Sequence, residues 1–211
     1  MKIAFIGQGK VGGSLAKAAA EAGLDVTLIE LQKNSDRVKE IVNNHDRITS
    51  AIPDIAIPNS DIILLTTPYS VTKDIVSELK ELLVDKTVVD CTNPVGPEFT
   101  HALKSVESVT SSLQKDFTKI NFVKSFNIYG FENFVYKPFS NLSIKPVMFF
   151  CGENKEAKKR VAELISLLGW NPLDVGGIQQ AVHLEHLALM WIDYVRRGGN
   201  SPKITWGVVS E

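Results

Sequence analysis

Short, continuous apolar runs alternate along this chain with longer stretches in which apolar residues return every three or four positions. A continuous run suits a strand covered on both faces, whereas the wider spacing lays one stripe along a helix. Lys2-Ile3-Ala4-Phe5-Ile6 and Asp25-Val26-Thr27-Leu28-Ile29 read as strands. Between them Val11, Leu15, Ala18, Ala19 and Ala22 form one helical face that Gly23 stops. Ser35 is placed to cap a short polar helix with Val38, Ile41 and Val42 inward, and Arg47 to Ile57, broken by prolines, holds something short and strand-like. Asp61 to Thr66 is the next strand, followed by a helix with Val71, Ile75, Leu79 and Leu82 as its core face. Lys86 to Cys91 is another strand, and Thr92 to Pro97 a loop rich in turn formers. The pattern then predicts a helix over Phe99 to Phe117 with Phe99, Leu103, Val106, Val109 and Leu113 inward, a strand over Asn121 to Asn127, and proline-broken loops from Ile128 to Lys145.

In the last third, Pro146 to Cys151 is a strand, Lys155 to Leu168 a helix with Ala157, Val161, Leu164, Ile165 and Leu168 on one face, and Asn171 to Val175 a further strand. From Gln179 to Arg197 the stripe of Leu184, Leu187, Ala188, Trp191, Ile192 and Val195 is widened by Val182, Leu189, Met190 and Tyr194. A helix so apolar is buried within the protein or against a second copy of itself. Strands and helices in this order predict a doubly wound α/β fold with a mostly parallel sheet and a C-terminal strand and helix extension. No repeat or flexible linker divides it, so the expectation is one domain over residues 1–211, with a core over 1–127 and an extension over 128–211.

Composition narrows the function. The 211 residues carry 23 basic and 24 acidic side chains, a net charge of −1, which leaves no basic footprint for nucleic acid or an anionic membrane surface. No apolar run approaches the ~20 residues of a membrane span, and the first one breaks at Gly7, too early for a signal peptide. Cys91 and Cys151 end apolar runs, as buried thiols of a reducing compartment do, so a cytoplasmic protein is expected.

The chemistry starts in the turn after the first strand. Gly7-Gln8-Gly9-Lys10-Val11-Gly12 is a G-x-G-x-x-G between strand and helix. There Gly7 makes the turn, Gly9 lets a pyrophosphate approach the backbone, and Gly12 lets helix and sheet close up: the fingerprint of a Rossmann dinucleotide site. Glu30 ends the second strand 18 positions after Gly12, close to where a carboxylate accepts both hydroxyls of an adenosine ribose. That favours NAD, since a carboxylate repels a 2′-phosphate, although Lys33 and Arg37 just beyond it can offset the repulsion. Ligands of such sheets lie outside the carboxyl ends of the strands, which adds Thr66, Thr67, Pro68 and Tyr69, then Thr92, Asn93 and Pro94, then Ser125, Phe126 and Asn127. The amides of Asn93 and Asn127 are either turn formers or positioners of nicotinamide or an acceptor.

None of these positions supplies a convincing acid or base. Hydride exchange between two bound rings needs proximity and orientation rather than a protein proton, whereas a dehydrogenase acting on an alcohol or an imine needs a side-chain acid or base. No catalytic side chain is therefore assigned. His45 and His101 lie in polar surroundings and are expected at the surface; His183 and His186 flank Glu185 without a third ligand, so no metal is assigned either. Arg196, Arg197 and Lys203 beside Gly198-Gly199 either hold an anionic acceptor tail or solvate a helix end.

Gly7 to Gly12, Thr67-Pro68, Asp90-Cys91-Thr92-Asn93-Pro94, Val123-Lys124-Ser125-Phe126-Asn127, Pro146 to Gly152 and Gln180 to Glu185 together resemble the coenzyme F420-dependent NADP oxidoreductase family. The chain is similar, too, to the cytoplasmic nucleotide-binding domain of mammalian membrane metalloreductases. The resemblance implies a Rossmann fold in which NAD or NADP exchanges hydride with F420, FMN or FAD, commonly in a homodimer, here through the C-terminal helix. NADP-using members usually follow the second strand with a small hydroxyl residue and an arginine, where this chain has Glu30-Leu31-Gln32. The family thus implies NADP and the local chemistry NAD. Two other readings stand beside it: a dehydrogenase or imine reductase of the hydroxyacid or pyrroline-carboxylate type, which shares the N-terminal half, and a dinucleotide-binding redox sensor without turnover.

Overall fold

The apolar runs pair into one sheet in a computed structural model, which describes residues 1–32, 35–104, 106–135 and 144–209. Its strands are β1 (Lys2–Ile6), β2 (Asp25–Ile29), β3 (Ile48–Ala51), β4 (Ile62–Leu65), β5 (Thr87–Asp90), β6 (Asn121–Lys124), β7 (Val147–Gly152) and β8 (Asn171–Asp174). They lie in the order β3-β2-β1-β4-β5-β6-β7-β8. The first six are parallel, and their 3-2-1-4-5-6 order puts the reversal of winding between β1 and β4, where dinucleotides bind in such folds.

Alternation along the strands sorts the core into two layers. Ile3, Phe5, Val26, Leu28, Ile62 and Leu64 face one side, against α1 (Lys10–Glu21), α2 (Asp36–Asn43), α7 (Lys155–Leu167) and α8 (Ala181–Ile192). Ala4, Ile6, Ile63, Leu65, Val88 and Phe122 face the other, against α3 (Pro53–Ala56), α4 (Tyr69–Leu79) and α5 (Val109–Asp116). Burial on both faces is why these strands read as unbroken apolar runs.

β7 departs from the parallel order. It runs antiparallel to β6, pairing Lys124 with Cys151 and Val123 with Gly152. Because those pairs are the ends of both strands, most of β7, with β8 parallel beside it, stands beyond the carboxyl edge as a wall.

Several expectations need correction. The predicted helix over Phe99 to Phe117 is only α5, which starts where the Ser108 hydroxyl accepts from Ser111 N (2.9 Å) and the Ser111 side chain accepts from Ser108 N. Left-handed backbone at Glu98 (φ 54°), Phe99 (φ 59°) and Lys104 (φ 54°) breaks helical geometry before it, and Val106, expected inward, is 87% exposed. On α4 the buried residues are Thr72, Val76 and Leu79, while Val71 is exposed. The Thr72 hydroxyl donates to Pro68 O (3.0 Å), which lets a polar residue occupy the core face that an apolar stripe assigns to its neighbour. Within the expected loops after Ile128, α6 (Glu132–Val135) makes one helical turn, and residues 136–143 lie outside the described residues.

Candidate functional site

The glycine turn divides its work between fold and ligand. Gly7 has φ +101°, and a Cβ there would lie 2.8 Å from Thr66 C and O. At Gly12 a Cβ would lie 2.1 Å from Gly7 O and 2.4 Å from Thr66 Oγ1, so these two glycines let β1, β4 and α1 close up. At Gly9 a Cβ would meet nothing within 4 Å. Gly9 is also the N-cap of α1 and offers no side-chain cap, which leaves backbone N–H groups of the first helical turn, at Lys10, Val11 and Gly12, without the partner a capping side chain would bring. Gln8 is spent on the fold, its Nε2 donating to Ile29 O (2.8 Å) across the ends of β1 and β2.

Other residues expected at this edge fall into two groups. Thr66 donates to Gly7 O (2.6 Å), the Thr67 hydroxyl lies 2.8 Å from that of Thr72, and Ser125 donates to Phe149 O (3.1 Å), so these hydroxyls hold the strand ends together. Pro68 caps α4 and Tyr69 packs half-buried against the core, while Pro94 is buried and accepts from Ala102 N (2.8 Å). Glu30 stays half-exposed beyond β2, its carboxylate unpaired among the described residues, and its N–H donates to Ala51 O (3.0 Å). Arg37 donates from Nε to Gln8 O (3.3 Å) and pairs with Glu40 (2.9 Å); Lys33 lies outside the described residues.

Asn93 and Asn127 come together. Asn93 Nδ2 donates to Asn127 O (2.8 Å), and Asn127 Nδ2 donates to Asn93 Oδ1 (2.9 Å) and Leu184 O (3.0 Å). Both line a cavity of about 520 Å³ whose walls also include Val11 of α1, Ile128 and Phe131 after β6, and Ala188 and Trp191 of α8. Three cations lie over aromatic rings around it: Lys10 over Phe131 (5.4 Å), Arg196 over Trp191 (5.5 Å) and Arg197 over Phe99 (5.7 Å). Arg196 is also paired with Glu132 (2.6 Å) and Arg197 with Asp193 (3.1 Å).

Beneath this edge lies a buried charge network. Lys124 Nζ, at the end of β6, donates to Asp90 Oδ2 (3.1 Å), Glu185 Oε1 (3.0 Å) and Thr92 O (2.6 Å). All three charged side chains are fully buried. Asp90 also accepts from Thr110 Oγ1 (2.6 Å) and Thr92 N (2.9 Å), and Glu185 from Val109 N (3.0 Å), while Glu185 Oε2 lies 2.8 Å from His101 Nε2. Burial by itself would lower the Lys124 pKa; the carboxylates of Asp90 and Glu185 outweigh it and hold it above the usual lysine value. The network ties α8, one wall of the cavity, to β5 and β6.

The fold and the turn are also those of known proteins. Residues 2–94 match the family described as NADP oxidoreductase, coenzyme F420-dependent. The match covers 93 of the 211 residues, from β1 to the loop after β5. The chain also aligns with a candidate F420-dependent NADP reductase of Arthrobacter sp. FB24 at a TM-score of 0.82 and 24% identity, covering 96% of both chains. An imine reductase of Streptomyces aurantiacus aligns at a TM-score of 0.65 and 14% identity, over 93% of this chain and 62% of that one. At these identities the structural likeness establishes the fold. Rat metalloreductase STEAP3 is 24% identical over 188 residues, which are 89% of this chain and 36% of that protein. The chain therefore spans little more than a third of that relative's length.

Against the family's motifs, sequence reading missed the charge network. His101, expected at the surface, is buried against Glu185, and its ring stacks on the exposed His186 at 5.0 Å. Glu185, set between two histidines as though for a metal, turns inward instead. The signal was present: Asp90 and Lys124 each close a strand that is apolar on both faces, where a charge needs a partner. Cys91 and Cys151 are unpaired and buried, and burial raises both thiol pKa values, that of Cys151 to about 12. Among the described residues no group of three or more His, Cys, Asp or Glu is placed to hold a metal, and no helix is long and apolar enough to cross a membrane.

Proposed function

We propose that this chain binds NAD(H) along the carboxyl edge of its sheet and brings the nicotinamide against a planar flavin or deazaflavin ring in the cavity. One observation carries the reading: the titratable groups among the cavity's lining residues are Tyr129 and Arg196, and neither suits proton transfer. The Tyr129 hydroxyl donates to Val147 O (2.7 Å) and accepts from Trp206 N (3.0 Å), and burial raises its pKa. A guanidinium keeps its proton throughout the ordinary pH range. Carbonyl and imine reduction need a proton at the reacting atom, so this wall favours transfer between two rings over the dehydrogenase and imine reductase readings.

When bound, the dinucleotide supplies or receives a hydride at its nicotinamide ring. The chain's own part is placement. The uncapped N–H groups of Lys10, Val11 and Gly12 donate to the pyrophosphate oxygens, with Gly9 keeping the approach clear. Glu30 takes the ribose hydroxyls; Arg37, already engaged with Gln8 and Glu40, is poorly disposed to a 2′-phosphate, which favours NAD although the family description names NADP. Aromatic and aliphatic walls exclude water and hold the second ring. Residues 1–127 and 128–211 act as one unit, since both supply the cavity's walls. Met190 on α8 and Tyr194 just after it, both half-exposed, suit a homodimer, and two unpaired buried thiols suit a reducing cytoplasm.

The test is a titration with NADH and NADPH, then addition of FMN, FAD or the deazaflavin while absorbance near about 340 nm, that of reduced nicotinamide, is followed. Loss of absorbance with one ring, and tighter binding of NADH than NADPH, is expected. Turnover with a cyclic imine or a hydroxyacid but no ring would replace this reading with the dehydrogenase one, and binding without any turnover would favour the sensor.

A further inference from the structure

Asn127 carries one atom the fold leaves unused. Its residue is 3% exposed and lines the cavity, yet among the described residues Oδ1 has no hydrogen-bond partner. The orientation of the amide is not arbitrary, because Nδ2 donates to two oxygens, Leu184 O and Asn93 Oδ1. Flipping it would set oxygen against oxygen twice. Just before it Phe126, a buried aromatic residue, is held in left-handed backbone (φ 56°), a conformation that the surrounding packing must impose. The amide is thus clamped through its nitrogen, and its oxygen is a buried, unpaired acceptor in a residue that lines an apolar cavity.

A buried oxygen with no partner destabilises the empty site and rewards a ligand that brings a donor. We propose that Asn127 Oδ1 reads an N–H donor on the ring system that enters the cavity, and so selects amide-bearing rings over isosteric ones that lack the donor. Two sources carry this chemistry: the carboxamide NH2 of nicotinamide and the ring N–H of a flavin or deazaflavin pyrimidine. The inference rests on the functional reading above that such rings bind here, and it adds which atom recognises them.

The test measures affinities rather than turnover, by quenching of tryptophan fluorescence, Trp191 being in the cavity wall. In the first arm NAD is compared with 3-acetylpyridine adenine dinucleotide, where methyl replaces the amide nitrogen. In the second, lumiflavin is compared with its N3-methyl derivative. The native chain should prefer the donor-bearing member of at least one pair by about tenfold or more, the penalty of a buried acceptor left unpaired. The pair that discriminates names the source. Asn127→Ala should bind both members of that pair equally, whereas a residue that merely supported the fold would weaken both and leave their ratio unchanged. Asn127→Ser, with a shorter side chain that does not reach the same point, serves if the alanine variant does not fold. Equal affinities within both pairs in the native chain, or a preference that survives in the variants, would overturn the assignment while leaving the functional reading intact. Failure of every dinucleotide and ring to bind would overturn both.

Discussion

Two strand ends of the same sheet treat polar groups in opposite ways. After β1 the chain leaves backbone N–H groups uncapped and a glycine bare; after β5 and β6 it buries Asp90, Lys124 and Glu185 and closes each upon the others. Donors at the surface cost little while water satisfies them, so they can wait for a phosphate. Charges out of water tolerate no such vacancy and must be paired with near-complete geometry. The first arrangement is therefore a place for a ligand, and the second a joint that fixes α8, and with it the cavity wall, against the sheet.

Breaking the joint between glycines should have the largest effect. Gly12→Val forces a Cβ into Gly7 O and Thr66 Oγ1 and should prevent the chain from folding stably, seen as lost near-UV circular dichroism. Gly9→Val meets nothing in the fold, so its melting midpoint should stay within a few degrees of the native value while dinucleotide affinity is lost. Retained affinity in the second variant would remove the phosphate assignment.

Next comes the charge network. Lys124→Met leaves two carboxylates facing each other in the core and should cost about 3–5 kcal/mol in urea unfolding. Adding Glu185→Gln should cost less than the sum of the two single losses, because the carboxylate it removes is already uncompensated. Strict additivity would mean that the contacts between β6 and α8 carry no coupling.

The same contrast explains what could be read from the chain beforehand. β1, α1 and β2 were legible because local rules agree there: an unbroken apolar run, glycines at set intervals, a one-faced helix and a carboxylate at the right distance. Asp90, Lys124 and Glu185 were not, because they meet across as many as 95 positions of chain: the apolar strands that Asp90 and Lys124 close signal that each charge needs a partner but not which one. The helix expected at Phe99 failed for a related reason: left-handed residues at Glu98, Phe99 and Lys104 leave no mark on periodicity. At Thr72 a buried hydroxyl was passed over because its partner, Pro68 O, is invisible to hydropathy. The inner face of α8 was foreseen as apolar, but the one acid upon it, Glu185, was noted only as lying between two histidines and was given no partner.

Glu30 sharpens the open side of the comparison. Its carboxylate has no protein partner among the described residues, so Glu30→Ala should leave stability nearly unchanged and weaken NAD by about 1–3 kcal/mol through lost charge-assisted hydrogen bonds. NADP affinity should hold or rise. Calorimetric titration of both dinucleotides decides this, and unchanged NAD affinity would sink the ribose assignment.

The smallest effect separates the joint from its surroundings by pH. Burial raises the Cys151 thiol pKa to about 12, against about 8.5 in an unfolded chain, so the native state holds that proton longer. Its contribution is complete below pH 8.5 and is lost as pH climbs toward the folded value, a loss of about 1 kcal/mol by pH 9. Lys124, held above its usual value by Asp90 and Glu185 despite burial, follows the same sign but starts later, near the unfolded lysine value of about 10.4. Unfolding free energy should therefore stay level through neutrality, decline from about pH 8.5 and steepen beyond about pH 10.4. Urea titrations across that range check both steps: Cys151→Ser should soften the first decline, and Lys124→Met should soften the second, to which the buried Tyr129 hydroxyl adds with the same sign, while leaving the first in place.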